Sequence, residues 1–238
     1  MAREEAGTAC AGVRVLVVGG SPEAPGPDLL RRLVRVSDAV VAVDHGLDAL
    51  LAAGCGCDVF CGDADSVSPA ASQLVAAAEG APTGAAAAPG AVGRVGAVER
   101  YNPAKDYTDL SLALRAVRAR WCAARLTCTG LSGGRPDHAL AALGQLAGWG
   151  SCVAWEEEGF SGRILQAGEA WELADAQGRT FSFVPLASGT VVSEQGMRWL
   201  LDHRRTELLS DLGISNVIEA PLARIVCHEG ALAAWCLR

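Results

Sequence analysis

The sequence predicts an α/β protein in which a parallel-sheet domain is followed by a smaller all-β domain. Hydrophobic runs of strand length alternate with helical periodicity in residues 1–157, a pattern typical of a parallel sheet covered by helices. Helical periodicity ends there, and short strand-like runs separated by glycines continue to the C-terminus. We therefore predict an α/β domain over residues 1–157 and a β-sandwich over residues 158–238.

The elements of the first domain follow one another in strand–helix order. Its strands are predicted at residues 13–18, 39–43, 58–61, 97–101, 125–129 and 152–155, and its helices at residues 28–36, 47–53, 69–78, 110–121 and 138–147. Residues 80–96 are mostly Gly, Ala and Pro and indicate a surface insertion or a mobile loop. The second domain is predicted to contain strands at residues 163–166, 170–173, 180–184, 190–193, 223–227 and 232–237.

The bulk composition excludes several classes of protein. The net charge of −7 over 238 residues argues against nucleic acid as the main partner, because phosphate backbones require a basic surface. No apolar run reaches the roughly 20 residues of a membrane helix, so we predict no membrane partner. The acidic N-terminus lacks the apolar core of a signal peptide, which predicts a cytoplasmic protein.

The nine cysteines are scattered along the chain, and several lie inside apolar runs, as Cys128, Cys152 and Cys227 do. This indicates reduced cysteines used as small hydrophobic side chains. The cluster Cys55, Cys57 and Cys61 could suggest zinc, but a second ligand pair at a zinc-like spacing is missing from the sequence. We favour ordinary core or loop cysteines over a zinc site.

Acidic loops follow three of the predicted strands. Asp44 follows the second strand, Asp63 and Asp65 follow the third, and Asp109 lies at the start of the helix after the fourth. Ligands bind outside the carboxyl ends of the strands in such sheets. If the loop after the third strand is extended, alternation turns Asp63 and Asp65 the same way, and Mg²⁺ would relieve their repulsion. A solvated acidic turn is the alternative, but the neighbouring acids favour a metal site.

Phosphate-binding groups follow the fourth and fifth strands. Gly133 and Gly134 lie in a glycine-rich turn before a helix, where backbone amides and the helix N-terminus attract phosphate. Arg135 offers a fork for phosphate oxygens, although a surface pair with Asp137 is the alternative. Lys105, the only lysine of the chain, could supply a point charge, or it could be an ordinary surface lysine. The chain contains no P-loop motif.

Taken in order, these motifs resemble those of the thiamine pyrophosphokinase (thiamine diphosphokinase) family. That family typically has a glycine turn after the first strand, then Asp-Gly-Gly, GDxDS, KDxTD and GGRxDH motifs, and a GLKWxL-like segment and a Ser-Asn pair in a C-terminal β-domain. The matching segments here are Gly19-Gly20, Asp44-His45-Gly46, 62–66, 105–109, 133–138, 196–201 and Ser215-Asn216. His45 replaces the usual glycine of the second motif, and Arg198 replaces the usual lysine.

The resemblance implies a Rossmann-like catalytic domain and the reaction of ATP with thiamine to give thiamine diphosphate and AMP. It implies that Asp44, Asp63, Asp65 and Asp109 coordinate Mg²⁺, that Lys105, Thr108, Gly133, Gly134 and Arg135 bind ATP, and that Asp137 orients or deprotonates the attacking hydroxyl. It further implies that Ser215 and Asn216 contact thiamine in a homodimer whose β-domain completes the partner subunit's site. Trp199 is either a stacking platform for thiamine or a core or interface tryptophan.

Two other functions stay open at this point. The chain could be a diverged, non-catalytic thiamine- or nucleotide-binding protein disabled at His45, or a diphosphokinase that acts on another heterocyclic alcohol. Thiamine binding without AMP formation would indicate the first, and a screen of acceptors would reveal the second.

Overall fold

The computed structural model describes residues 12–80, 88–102 and 106–238. Contacts divide the chain into two compact units, one of residues Ala11–Gln145 and one that contains Leu146–Arg238. The predicted boundary between residues 157 and 158 concerns functional domains and stays a prediction.

The first unit is a five-stranded parallel sheet with helices between its strands. The strands are β1 (Arg14–Val18), β2 (Ala39–Val43), β3 (Cys57–Gly62), β4 (Val95–Arg100) and β5 (Arg125–Thr129), in the spatial order β5-β1-β2-β3-β4. The helices are α1 (Pro27–Arg35), α2 (Gly46–Ala52), α3 (Pro69–Glu79), α4 (Asp109–Arg120) and α5 (Pro136–Trp149). This confirms the predicted α/β class, and the bounds of β2 and β5 are those predicted.

The central strands β1 and β2 of the first unit are buried on both faces. Leu16 and Val18 join a core cluster with side chains of α1, α2 and α3, while the alternating Val15 and Val17 are buried outside that cluster. Parallel strands covered on both faces carry continuous apolar runs, which is why β1 and β2 were recognisable in the sequence. Polar side chains are therefore found mainly in the loops that follow these strands.

The second unit consists of antiparallel strands that form two packed layers. Its strands are β6 (Val153–Glu157), β7 (Phe160–Gln166), β8 (Ala170–Ala174), β9 (Thr180–Pro185), β10 (Thr190–Gln195), β11 (Leu201–Thr206), β12 (Asn216–Val217), β13 (Leu222–Glu229) and β14 (Ala231–Leu237). One layer has the order β12-β9-β14-β7-β6 and the other β11-β10-β13-β8. Side chains of both layers, among them Phe181, Phe183, Val192 and Ile225, form one buried cluster, as predicted for a sandwich.

Two strands of the second unit were missed in the sequence. The central residues of β11, Asp202-His203-Arg204-Arg205, are exposed, so the strand lacks the apolar alternation that would reveal it. It lies at the edge of its sheet, where charged side chains discourage pairing with another molecule. Strand β12 has only two residues, too few for any periodic signal.

Part of the predicted insertion packs onto the sheet. The Gly56 N–H donates to the Gly90 carbonyl at 2.9 Å, and the Gly90 N–H reaches the Asp58 carboxylate at 3.4 Å. Gly90 is buried beside Val40, whereas Pro89 and Val92 are exposed, so this part of the insertion lies at the surface and is anchored at Gly90. The composition of this segment does not reveal its partners, because they lie on β2 and β3.

The cysteines at β3 are core residues. Cys55, Cys57 and Cys61 are buried free thiols, and burial raises the pKa of Cys61 to about 12 and also raises that of Cys57. Thiolates are the metal-binding form of cysteine, so these neutral thiols agree with the prediction of core cysteines rather than zinc ligands. Cys152 is an exception to the predicted reduced state, since it takes part in a disulfide.

Within the described residues, no helix is both long and apolar enough to cross a bilayer. The cytoplasmic location stays a prediction.

Candidate active site

The strand order of the first unit brings successive loops together at the carboxyl edge of the sheet. Strand β1 is central, with β5 on one side and β2, β3 and β4 following on the other. Because all five strands are parallel, the loops that follow them leave from the same edge. The predicted acidic and glycine-rich segments therefore share one edge, as the sequence indicated.

The loops after β1 and β5 are joined by hydrogen bonds. The Gly19 N–H donates to the Thr129 carbonyl at 2.8 Å, and the Ser21 N–H donates to the Gly130 carbonyl at 3.0 Å. The Ser21 hydroxyl donates to the Ser132 carbonyl. The glycine turn after β1 is therefore hydrogen-bonded to the glycine-rich turn after β5.

The loops after β2 and β3 meet at Asp44 and Gly62. A methyl group at Gly62 would stand 1.9 Å from Oδ1 of Asp44, so only a glycine leaves room for this carboxylate. Asp44 has a left-handed backbone, with φ of 45°, a conformation that Asp adopts more readily than most residues. Its N–H donates to the Cys61 carbonyl at 3.1 Å. The acid of one loop therefore lies against the first residue of the next acidic loop.

The loop after β3 is not extended, so the condition under which alternation would turn Asp63 and Asp65 the same way is not met. Ala64 has a left-handed φ of 59°, and Oδ1 of Asp63 accepts the Asp65 N–H at 3.2 Å. Asp side chains often bond the backbone two residues on and thereby form a local turn. Asp63 is half-buried and Asp65 is exposed as a result.

Arg100 at the end of β4 is a site-edge residue that the sequence analysis missed. Its guanidinium donates to the backbone carbonyl of Asp63 at 2.6 Å and pairs with Glu79 at 2.7 Å. The neighbouring Tyr101 N–H donates to the Gly62 carbonyl at 3.1 Å. The end of β4 therefore holds the backbone of the acidic loop. No local sequence motif predicts this role, because the two segments are distant in the chain.

Thr108 and Asp109 begin helix α4, as predicted. The Thr108 hydroxyl oxygen is the N-cap, accepting the Ser111 N–H at 3.2 Å, which satisfies one of the free amides of the first turn. Asp109 is the first helical residue and is half-buried. Lys105, predicted just before this segment, lies outside the described residues.

The glycine-rich turn ends in an exposed ion pair. Gly133 and Gly134 have left-handed φ values of 85° and 64°, conformations that glycine adopts without strain. Arg135 follows and holds Asp137 with two hydrogen bonds, Nε to Oδ1 at 3.1 Å and Nη2 to Oδ2 at 2.5 Å. The bond to Arg135 lowers the pKa of Asp137 to about 2. The surface-pair alternative for Arg135 is therefore the arrangement present here.

Glu23, which the sequence analysis did not single out, lies over the same turn. A methyl group at Gly133 would stand 2.4 Å from the carboxyl carbon of Glu23. This residue is exposed, and its N–H donates to the Ser21 hydroxyl oxygen at 3.1 Å. Glu23 therefore places a carboxylate beside Gly133.

His45 does not disturb the loop after β2. It has ordinary helical dihedrals, with φ of −55°, and its exposed imidazole pairs with Asp48 at 3.2 Å. Gly46 is the position that needs glycine, because a methyl group there would stand 2.1 Å from the Val18 carbonyl oxygen. The departure from Asp-Gly-Gly thus falls at the residue that tolerates a side chain.

The predicted thiamine-contacting residues lie in the second unit and differ in exposure. Trp199 is 58% exposed. Ser215 is exposed with a left-handed φ of 62°, and its N–H donates to the Ser182 hydroxyl oxygen at 3.0 Å. Asn216 is 3% exposed. Trp199 and Ser215 are therefore exposed and Asn216 is buried, and a contact of these three residues with thiamine stays a prediction.

Over the described ranges, no three His, Cys, Asp or Glu side chains converge closely enough to hold a metal by themselves. Mg²⁺ is usually bound by one or two carboxylates together with substrate phosphates and water. The hard carboxylate oxygens of Asp44 and of the 63–65 loop suit that cation, and their two loops adjoin. The donor set therefore fits Mg²⁺ held jointly with a phosphate ligand.

Two family profiles match most of the chain. "Thiamin pyrophosphokinase, catalytic domain" covers residues 30–151, and "Thiamin pyrophosphokinase, vitamin B1 binding domain" covers residues 169–232. The first match contains the acidic loops and the Arg135 turn, and the second contains Trp199 and Ser215. No curated protein sequence matches the chain significantly.

Solved structures share the fold. A thiamin pyrophosphokinase family protein from Enterococcus faecalis is 21% identical with a TM-score of 0.73, over 94% of this chain and 99% of that one. Thiamine pyrophosphokinase from Bacillus subtilis is 22% identical with a TM-score of 0.73, over 94% and 98% of the chains. Thiamin pyrophosphokinase from Candida albicans is 14% identical with a TM-score of 0.73, over 97% and 91%.

The family matches follow the same order as the sequence motifs, and the catalytic profile alone spans half of the chain. The chain therefore belongs to the thiamin pyrophosphokinase family, and thiamine diphosphokinase is the function that its catalytic and vitamin B1 binding domains support.

Proposed function

We propose that this chain catalyses a Mg²⁺-dependent transfer of the diphosphate group of ATP to the hydroxyl of thiamine. The hydroxyl oxygen attacks the β-phosphorus, the bond from that phosphorus to the α-phosphate breaks, and AMP leaves while the hydroxyl loses its proton. The observation that carries the proposal is the row of acidic and glycine-rich loops at one sheet edge, inside the residues that match the catalytic domain. Such transfers depend on positioning and charge neutralisation, which these loops can supply.

Asp44, Asp63, Asp65 and Asp109 are proposed to hold Mg²⁺ together with ATP phosphates. Bound Mg²⁺ would neutralise the negative charge of the polyphosphate. Gly62 lets the Asp44 carboxylate approach the 63–65 loop, and Arg100 holds the backbone of that loop through the Asp63 carbonyl. These contacts support a preorganised acidic pocket in the chain itself.

Arg135 is proposed to bind the polyphosphate by exchanging its partner. Its guanidinium now grips the Asp137 carboxylate with two parallel bonds, the geometry with which arginine also grips a phosphate. Both side chains are largely exposed, so the exchange requires little desolvation. Gly133, Gly134, the N-terminus of α5, Thr108 and Lys105 are proposed to provide the remaining donors.

Asp137 is proposed to orient or deprotonate the attacking hydroxyl. While Arg135 is paired with it, the pKa of Asp137 is lowered to about 2, so its carboxylate is ionised at neutral pH before substrates bind. When Arg135 moves to a phosphate, the carboxylate becomes free to accept a hydrogen bond from the thiamine hydroxyl. The same pair then serves both substrates.

Trp199 and Ser215 are proposed to contact thiamine, since both are exposed within the vitamin B1 binding match. The thiazolium of thiamine carries a positive charge that an aromatic face attracts. Arg198 lies 5.7 Å from the centre of the Trp199 ring and is held by Glu219 at 2.8 Å.

The protein is proposed to work as a homodimer. Exposed large apolar side chains are concentrated in one segment of the second unit, namely Trp199, Leu200, Leu208, Leu209, Leu212 and Ile214. Apolar surface of this kind, when contiguous, marks interaction sites. Light scattering on the purified protein should give twice the mass of 24.5 kDa expected for one chain.

The test is AMP release from ATP and thiamine by Asp65→Asn and Asp109→Asn variants. Each should lose roughly 100-fold or more of the turnover, because several kcal/mol of charge stabilisation are removed. Asp38→Asn is the matched control, since Asp38 is an exposed acid that pairs with Arg14 next to the opposite edge of the sheet. Near-wild-type turnover of either site variant would refute the metal assignment.

A screen of other heterocyclic alcohols in the same assay separates thiamine from alternative acceptors. Thiamine should give by far the largest kcat/KM for AMP release. A faster reaction with another acceptor would keep the diphosphokinase chemistry and overturn the substrate.

A further inference from the structure

Glu194 is a buried carboxyl group that the mechanism above does not use. It lies on β10 and is 2% exposed. Its cross-strand neighbours are Ile225 on β13 and Leu201 on β11, both part of or packed against the sandwich core. Burying a carboxyl group in such surroundings costs free energy unless it gains hydrogen bonds, so packing alone does not explain its presence.

Only one oxygen of Glu194 has a hydrogen-bond partner among the described residues. Oε2 accepts from Nδ2 of Asn216 at 3.2 Å, while Oε1 is buried and has none. Burial raises the pKa of Glu194 to about 7, and the bond from Asn216 lowers it in part. The single hydrogen bond of this buried carboxyl group goes to the side-chain amide of Asn216, so the role of Glu194 depends on what that amide binds.

Asn216 holds both backbone polar groups of Trp199. Its Oδ1 accepts the Trp199 N–H at 3.1 Å and the Val217 N–H at 2.8 Å, and its Nδ2 donates to the Trp199 carbonyl at 2.8 Å. The bond to Glu194 completes its four hydrogen bonds. An amide has no further capacity, so Asn216 is fully occupied as a clamp on Trp199.

The bond to Glu194 supports the orientation of the amide that the backbone groups of Trp199 and Val217 also favour. If the amide of Asn216 turned over, Oδ1 would face the acceptor oxygens of Glu194 and the Trp199 carbonyl, and Nδ2 would face two N–H donors. Each buried polar group left without a partner is costly. Glu194 therefore adds a second acceptor on the side where Nδ2 must lie.

We propose that Glu194 is a positioning residue for thiamine binding, acting through Asn216 to hold the backbone of Trp199 so that its exposed ring meets the substrate. The inference rests on the proposed role of Trp199 as a thiamine contact. Trp199 is 58% exposed, so its side chain has little packing of its own to fix it. Its place is set by the backbone clamp and by the neighbouring Arg198.

The test compares Glu194→Leu and Glu194→Gln in steady-state kinetics with ATP and thiamine varied separately. Leucine fills the space but cannot accept from Asn216, so the KM for thiamine should rise about fivefold, the equivalent of one lost hydrogen bond. The KM for ATP should stay within twofold. Glutamine keeps an acceptor at the same distance and should restore the thiamine KM.

A double-mutant comparison with Trp199→Ala shows whether the effect passes through Trp199. If it does, adding Glu194→Leu to the Trp199→Ala protein should leave its KM for thiamine unchanged. If the double variant instead shows the product of the two single increases in KM, the proposal is overturned. Val192→Ala is the control for mere destabilisation, because Val192 is buried on the same strand in the same core. It should lower the melting temperature and leave the thiamine KM unchanged.

The outcomes also separate this inference from the proposed function. If the unaltered protein releases no AMP, the proposed function fails; if Trp199→Ala leaves the thiamine KM unchanged, the role of Trp199 fails. If both hold and folded Glu194→Leu binds thiamine normally, only the inference about Glu194 fails. Should Glu194→Leu not fold, Glu194→Thr, which is too short to reach Asn216, is measured in the same way and judged by the same criteria.

Discussion

The carboxylate of Asp44 lies so close to Gly62 that a methyl group there would stand 1.9 Å from Oδ1. We predict that Gly62→Ala displaces this carboxylate and lowers kcat/KM for AMP release by at least about tenfold, since small displacements in a reacting site are costly. Steady-state kinetics with circular dichroism as a check on folding measures this. Gly54→Ala is the matched control, because Gly54 also has a positive φ, of 71°, but nothing within 4 Å of the added methyl group. Equal losses in both variants would contradict the prediction.

His45 and Gly46 should respond in opposite ways to substitution. His45→Gly is expected to keep kcat within about twofold, because His45 already has helical dihedrals and its ring pairs with Asp48. Gly46→Ala is expected to destabilise the fold by roughly 1–3 kcal/mol through its clash with the Val18 carbonyl. Turnover and denaturant melts measure the two effects. A large gain of activity in His45→Gly would instead support a protein disabled at this residue.

Replacing Arg135 by lysine should weaken ATP binding. A lysine keeps the charge but cannot form the two parallel bonds that Arg135 now makes with Asp137. We expect the KM for ATP to rise about tenfold and the KM for thiamine to change little. An exposed arginine outside the site, Arg205, provides the control substitution Arg205→Lys. Equal ATP affinity in the Arg135→Lys protein would argue for a surface pair alone.

Asp137 should not shape the pH profile of the free enzyme. Because Arg135 lowers its pKa to about 2, Asp137 stays ionised between roughly pH 5 and pH 9, and no proton is gained or lost there. Asp137→Asn should therefore reduce kcat while leaving the shape of kcat/KM against pH unchanged in that window. Loss of an ionisation near neutral pH in the variant would show that Asp137 titrates as a base.

Glu194 should make the folded state less stable as the pH rises. Burial raises its pKa from 4.5 to about 7, so the folded state keeps a proton that the unfolded chain loses, and stability falls between these values. Glu194→Gln removes this dependence. The free energy of unfolding of the variant minus that of the unaltered protein should therefore be larger at pH 8 than at pH 4, by up to roughly 3 kcal/mol. Urea melts at both pH values measure it. An unchanged difference between the two proteins would show that Glu194 ionises normally.

The sequence by itself determined the elements that are buried on both faces and the order of the chemical motifs. Strands β2 and β5 were predicted with their observed bounds, because continuous apolar runs depend on local residue type and burial. Asp44, Asp109 and Arg135 were placed correctly at strand ends and helix starts, since capping and turn residues act within a few positions. Strand β11 stayed hidden because its exposed edge carries charged residues.

Only the tertiary structure decided which of these residues touch and which stay inside the protein. The approach of Asp44 to Gly62, the support of the Asp63 backbone by Arg100, and the clamp of Asn216 on Trp199 join positions that are 17 to 37 residues apart in the chain. Asn216, which the resemblance places at the thiamine site, is buried and makes four hydrogen bonds within the protein, and only the structure shows these partners. Hydrogen bonds between distant segments depend on the packing of whole strands, and no local pattern of residue types encodes that packing.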